Sequence, residues 1–246
     1  MTTTNQPEAG TPAQLPKEIQ EIAFTLAVKQ FDPSMLTEQF VKFSGIIPNE
    51  WELARQPVAN KAAAQLVFKN GVSIVAQPKN ISFLEAMNAD KQPDAVVAAQ
   101  VANTFAEKLP NADYQAVTIS PKTIVPLPEQ VDGARKFITE RLLADGSWKN
   151  FGKASVRAGV DLLYQFESCQ LNLKVNQAVL QIPEQQSVSA LLFSGNFNYR
   201  LANPEPAERI KVAKQVLDAW QSDLETFSGI IHEHFLAEQT PQTVFG

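Results

Sequence analysis

Hydrophobic and polar residues alternate most cleanly in the second half of the chain. Val156, Ala158, Val160, Leu162, Tyr164 and Phe166 fall on one parity, and Ser155, Arg157, Gly159, Asp161 and Gln165 on the other, with Leu163 the one apolar exception. Successive side chains of a strand point to opposite faces, so this pattern predicts a strand with one buried and one wet face, the habit of antiparallel sheets. Glu167 to Gln170 turns the chain. Leu171, Leu173 and Val175 then resume the alternation, and Ala178 to Ile182 extends it to Pro183. A third inward row runs Leu191, Phe193, Gly195, Phe197, Tyr199, Leu201. Gly195 has no side chain to pack there, which predicts a bulge or the close approach of another element.

The period then changes. Ile210, Ala213, Leu217, Trp220, Leu224, Phe227, Ile231 and His234 follow in steps of three and four. This is one narrow stripe on a helix from about Ala207 to Leu236, roughly 45 Å long. Gly229 is the expected point of a bend. An apolar sheet face needs a cover, and this helix is the nearest one.

The first half mixes both periods. Glu18 to Lys29 alternates and predicts a strand. Asp32-Pro33 starts a helix with Leu36, Phe40, Phe43 and Ile47 on one face, stopped by Pro48. Ala64 to Phe68 and Val72 to Ala76 flank Asn70-Gly71, a hairpin signal in which both turn residues need positive φ. The second of these strands is expected to run on irregularly past Pro78 to Phe83. Pro93-Asp94 opens a helix carrying Val97, Val101, Phe105 and Leu109, and Tyr114 to Ile119 is a further strand, prolonged by Thr123 to Leu127. The expected fold is α+β with mainly antiparallel sheets. A ferredoxin-like βαββαβ half is followed by an αβββα half closed by the long C-terminal helix. The boundaries fall at 1–16 for a Thr-, Pro- and Gln-rich disordered leader, 17–128 and 129–236 for the two modules, and 237–246 for a flexible tail. Trp148 and Phe151 are expected to plug the bottom of the second sheet.

One internal echo stands out: Phe43-Ser44-Gly45-Ile46-Ile47 recurs as Phe227-Ser228-Gly229-Ile230-Ile231. Duplication, or convergence on one amphipathic stripe, would each produce it. The copies sit in the first helix of one half and the last helix of the other, which a simple tandem repeat does not do.

This layout, with Val156-Arg157-Ala158-Gly159-Val160 as its nearest approach to a signature, resembles a scattered family of uncharacterised prokaryotic proteins of about this length. The resemblance lies in the order of elements across most of the chain. That family has no assigned activity, so the resemblance implies a fold and no functional residue.

Composition narrows the function classes. A net charge of −5 with no basic run argues against general nucleic-acid binding. The single cysteine, Cys169, precludes an internal disulfide and fits a reducing, cytoplasmic setting. No apolar run reaches the length of a membrane span.

Chemistry-bearing residues are few. His232 and His234, two apart, point about 200° apart on a helix and cannot share an ion. Cys169 beside Glu167 has its thiol pKa pushed the wrong way for a nucleophile. Asp161 and Glu167 read as carboxylates on a wet sheet face. Phe193, Phe197 and Tyr199 read as core rather than as a base-stacking row. No catalytic residue, metal or cofactor is expected. The first functional reading is a non-enzymatic binding or assembly protein, a homodimer or a partner-binding chain. It would act through a sheet edge or the last helix, where Leu217, Trp220, Leu224 and Phe227 are the interface candidates. The alternative is a small-molecule enzyme or sensor with a pocket in the curved C-terminal sheet around Tyr164, Gly195 and Tyr199.

Overall fold

The computed structural model describes residues 19–87, 91, 93–128, 132–181, 187–203 and 205–237 of the 246. The expected leader, and the tail beyond Ala237, lie outside them. The strands are β1 (Ile19–Val28), β2 (Val58–Ala59), β3 (Ala64–Val67), β4 (Val72–Gln77), β5 (Asn80–Ala86), β6 (Tyr114–Pro126), β7 (Val160–Gln165), β8 (Gln170–Leu180) and β9 (Val188–Arg200). The helices are α1 (Glu38–Phe43), α2 (Ala98–Lys108), α3 (Gly133–Lys136), α4 (Pro206–Asp218) and α5 (Trp220–Gly229). Two of them continue as π-helix, α3 through Phe137–Leu142 and α5 through Ile230–Phe235.

All the strands form one nine-stranded sheet in the order β2-β3-β4-β5-β1-β6-β9-β8-β7, and every described pairing is antiparallel. One face carries the core. Phe24 meets Trp220 edge-on at 5.6 Å, Phe83 meets Phe105 at 5.3 Å, and Phe193 meets Phe235 at 5.6 Å. The helices therefore lie on one side and make a two-layer α+β protein. The opposite face carries polar cross-strand pairs. Thr25 and Ser82 hydroxyls bond at 2.8 Å, the Ser120 hydroxyl donates to Asn196 at 2.8 Å, and the Asn198 amide donates to Thr118 at 3.2 Å. Cross-strand polar pairs of this kind stabilise a sheet without needing a cover.

The layout repeats itself. β1, α1, the meander β3–β5 and α2 are followed by β6, α3, the meander β7–β9 and α4–α5. Each meander ends beside the first strand of its own half, and the first strands pair antiparallel at the centre, Phe24 opposite Ile119. A pseudo-twofold axis normal to the sheet relates the halves. The equivalent helices α2 and α4 also meet, through Lys214 with Glu107 and Asn103 with Asp218. The five-residue echo is out of step with this repeat, since α1 corresponds to α3 and not to α5. Its two copies also do different work. Phe43 is 88% exposed whereas Phe227 is fully buried. Gly45 takes a left-handed φ of 69° past the end of α1, whereas Gly229 is helical at φ −58°.

Several expectations need correcting. The run past Pro78 is a turn and then a separate strand, β5, with Gln77 opposite Asn80. The extra strand puts two strands, β4 and β5, between β3 and β1, so β3, the first long strand after α1, runs antiparallel to β1 and the parallel pair of a split βαβ unit does not form. The Asn70-Gly71 hairpin uses a three-residue loop in which only Gly71 has positive φ, 89°, because the Gly71 amide donates back to the Phe68 carbonyl. One sheet runs through both halves at Pro126-Leu127-Pro128: β6 pairs with β1 as far as Thr123 and with β9 as far as Pro126. The long helix breaks at Ala219 (φ −92°, ψ 7°) instead of at Gly229. Its last inward residue is Phe235, not the exposed His234, because the wider π-turns shift the stripe by one position. Val156 and Ala158 precede β7 without joining it. Trp148 (38%) and Phe151 (89%) stay exposed instead of plugging the sheet.

Candidate functional site

The two ends of the sheet differ. At one end β2 is two residues long, and the Arg55 guanidinium beside it donates to Gln65 of the next strand at 2.9 Å. Short length and a nearby charge are ordinary ways of blunting an edge. At the other end β7 offers six residues, paired among the described residues only with β8. The chain enters it alongside β8, held by the Gln177 amide on the Ala158 carbonyl at 3.1 Å.

The direction of the free backbone groups follows from the β7–β8 turn. The Phe166 amide donates to the Cys169 carbonyl at 2.9 Å. With period two, Tyr164, Leu162 and Val160 also turn their backbone groups toward β8. Asp161, Leu163 and Gln165 therefore turn theirs outward, giving three N–H and three C=O groups along the open edge. Side chains flank this edge on both faces. Val160, Leu162 and Tyr164 continue the core row at half burial, with Phe166 stacked on Phe197 at 6.4 Å just beyond. On the polar face Leu163 stands 66% exposed between Asp161 and Gln165. The one apolar exception in the sequence pattern is thus a side chain that nothing among the described residues covers. Asp161 is held back by Asn172 and by Lys174 at 3.6 Å, both on β8.

The four interface candidates do not form a docking stripe. Leu217 and Phe227 have no exposure, and Trp220 and Leu224 have 6% each. They are spent on the chain's own sheet, the nearest apolar surface to a helix that follows it directly. Nor do Tyr164, Gly195 and Tyr199 enclose a shared space. Gly195 is a close-approach glycine, where an added Cβ would lie 2.9 Å from the Phe227 ring and 3.4 Å from Leu171. Tyr164 sits opposite Leu171 at the edge, and the Tyr199 hydroxyl donates to Asp223 at 2.7 Å.

Tyr199, Asp223 and Cys169 form a small buried polar group between β9, α5 and the β7–β8 turn. Sequence reasoning singled out two of the three. Asp223 has no motif around it, and only its place on α5 facing the sheet reveals it. Burial pushes the Cys169 thiol up, the Tyr199 hydrogen bond opposes this, and the Asp223 charge adds to it. Such a thiol is a poor nucleophile. Burial likewise raises the Asp223 carboxyl above its ordinary value of 3.8, against the opposing hydrogen bond from Tyr199. The group is a polar tie between layers. A carboxyl whose pKa is raised on folding contributes full stability below its unfolded pKa and loses it as pH rises through the folded value. Asp223→Asn keeps an acceptor for Tyr199 and removes the ionisation. Its stability relative to the parent protein is therefore expected to rise as pH climbs above the ordinary carboxyl value of 3.8 and to level off once the folded carboxyl has ionised, as read by thermal melts across a pH series. A difference that is flat with pH would show that Asp223 is not strained by its burial.

The other candidates are dispersed. Asp161 and Glu167 lie at opposite ends of β7. His232 and His234 are exposed on the last turn. Among the described residues no three of His, Cys, Asp or Glu gather as a metal-ligand set. Phe193 and Phe197 lie under the helices at 0% and 1% exposure, so they cannot stack bases. A groove of about 510 Å³ runs between the end of α1 and α2, past Lys42, Trp51, Gln100 and Thr104. No helix of the described residues is long and apolar enough to cross a membrane. No protein-family model matches the chain, and no curated protein matches it either.

Proposed function

We propose that this chain is a non-enzymatic binding protein that takes up an extended segment along the open edge of β7. One observation carries the reading: a six-residue edge with unpaired backbone groups, apolar side chains on both faces, and no proline, lysine or arginine in it. Natural edges of this length are normally guarded, and an unguarded one is a template for strand addition. Backbone bonds would supply register, and the row Val160, Leu162, Tyr164 would supply the apolar contact. The burial of the last helix's stripe favours the sheet edge over that helix as the docking element. Against the small-molecule alternative, the Phe227 ring lies close over Gly195. We place the protein in the cytoplasm on the strength of its single, free cysteine.

A photo-crosslinking amino acid in place of Leu163, introduced in the cells the protein comes from, tests this. The expected result is one discrete adduct, absent when the same group replaces the exposed Phe43. No adduct at position 163, or the same smear from both positions, would remove the proposal.

A further inference from the structure

Resting on that reading, the geometry points to the occupant of the β7 edge: a second copy of this chain, added antiparallel with Leu163 opposite Leu163 of its mate. The strand is complementary to itself in this register and in few others. Outward backbone groups belong to Asp161, Leu163 and Gln165. An antiparallel partner exchanges paired hydrogen bonds only where outward residues face outward residues. Centring on Leu163 sets Asp161 against Gln165 of the mate and the reverse, so all three residues on each chain pair fully. The acid meets an amide and not a second acid, which avoids the like-charge opposition that weakens a sheet. Lys174 of β8 also lies 3.6 Å from Asp161.

The side chains fall into place on the same register. On the core face Leu162 meets Tyr164 of the mate, and Val160 meets Phe166, itself 36% exposed in the single chain. This continues an apolar row that otherwise stops at half-buried residues. On the polar face the two Leu163 side chains cover one another. Helices of both copies stay on the same side, because the operator is a twofold axis normal to the sheet. The chain already uses that arrangement internally, where β1 and β6 join its halves antiparallel at the centre. The β2 end cannot compete, being two residues long.

The test uses the full chain and two substitutions at one exposed position. The unaltered protein is expected to be a dimer by native mass spectrometry and light scattering at micromolar concentration. Leu163→Lys and Leu163→Glu are each expected to weaken that dimer about tenfold, because identical charges then face each other across the axis. Mixing the two variants is expected to restore it as a heterodimer about tenfold tighter than either homodimer. Circular dichroism of each variant alone should match the parent, because position 163 is solvent-facing. An unaltered protein that stays monomeric up to near-millimolar concentration overturns the inference, as does a dimer indifferent to both charges or one that mixing does not restore. If the crosslinked adduct at position 163 holds a different protein, the second copy is excluded while the open edge remains a binding site. If there is no adduct at all, both readings fall.

Discussion

Phe227→Ala is expected to cost about 3–5 kcal/mol of folding stability, the range for removing a buried aromatic side chain. The ring has no exposure and lies directly over Gly195 on β9. It fills the one place in the inward row that has no side chain of its own. Losing it would open a cavity between two rigid layers, where neither the strand nor the helix can close the gap. The converse change, Gly195→Ala, is expected to cost about 1–3 kcal/mol by overpacking, since its Cβ would meet the ring at 2.9 Å. Gly195→Ala combined with Phe227→Leu should cost clearly less than the sum of the two, because the smaller side chain makes room. Urea unfolding of the four proteins checks this. Strict additivity would mean that the contact between α5 and β9 is not as close as described.

Glu85→Ala comes second, at about 3 kcal/mol. Glu85 sits on the inward parity of β5 with no exposure, where the alternation calls for an apolar residue. It is there because α2 begins without a capping side chain of its own. Its carboxylate accepts from the amides of Val97 at 2.9 Å and Ala98 at 2.7 Å, and it pairs with Lys91. A carboxylate at a helix start also suits the helix dipole. Alanine leaves the buried Ala98 amide and the half-buried Val97 amide without an acceptor and Lys91 without its partner. Glu85→Gln restores the acceptor and not the charge, and should fall between. Lys91→Ala should cost less than Glu85→Ala, because the lysine side chain keeps 21% exposure and its loss leaves the amide bonds in place. Hydrogen exchange should show Val97 and Ala98 losing protection first in Glu85→Ala. Unchanged protection there would refute the capping role.

Phe227 stands among the interface candidates for a role it does not have, and Glu85 stands among none; the reasons differ. Phe227 was visible as a member of the stripe, but a stripe does not say whether it covers its own sheet or another molecule. Glu85 was hidden by reading the run beyond Pro78 as an irregular tail. Taken as a strand, Ile81, Phe83 and Glu85 form an inward row, and an acid in such a row asks for a partner. Leu163 was the reverse case. It is the exception to the alternation, and its meaning depends on β7 being the last strand of the sheet.

The alternating rows, the two periods, the antiparallel habit, the apolar stripe of the last helix and the core membership of Phe193 and Phe197 are legible along the chain. Each is a local matter, because side-chain direction repeats every two residues in a strand and every 3.6 in a helix. The joining of both halves into one sheet through β1 and β6, the repeat about a pseudo-twofold axis, the capping of α2 by Glu85 and the bare edge at β7 were decided only in three dimensions. These depend on which strands become neighbours, and strands far apart in sequence carry no local mark of their partner. The edge at β7 belongs to this second group. Its residues alternate as an interior strand's would, and only the strand order shows that its outward backbone groups have no partner within the sheet.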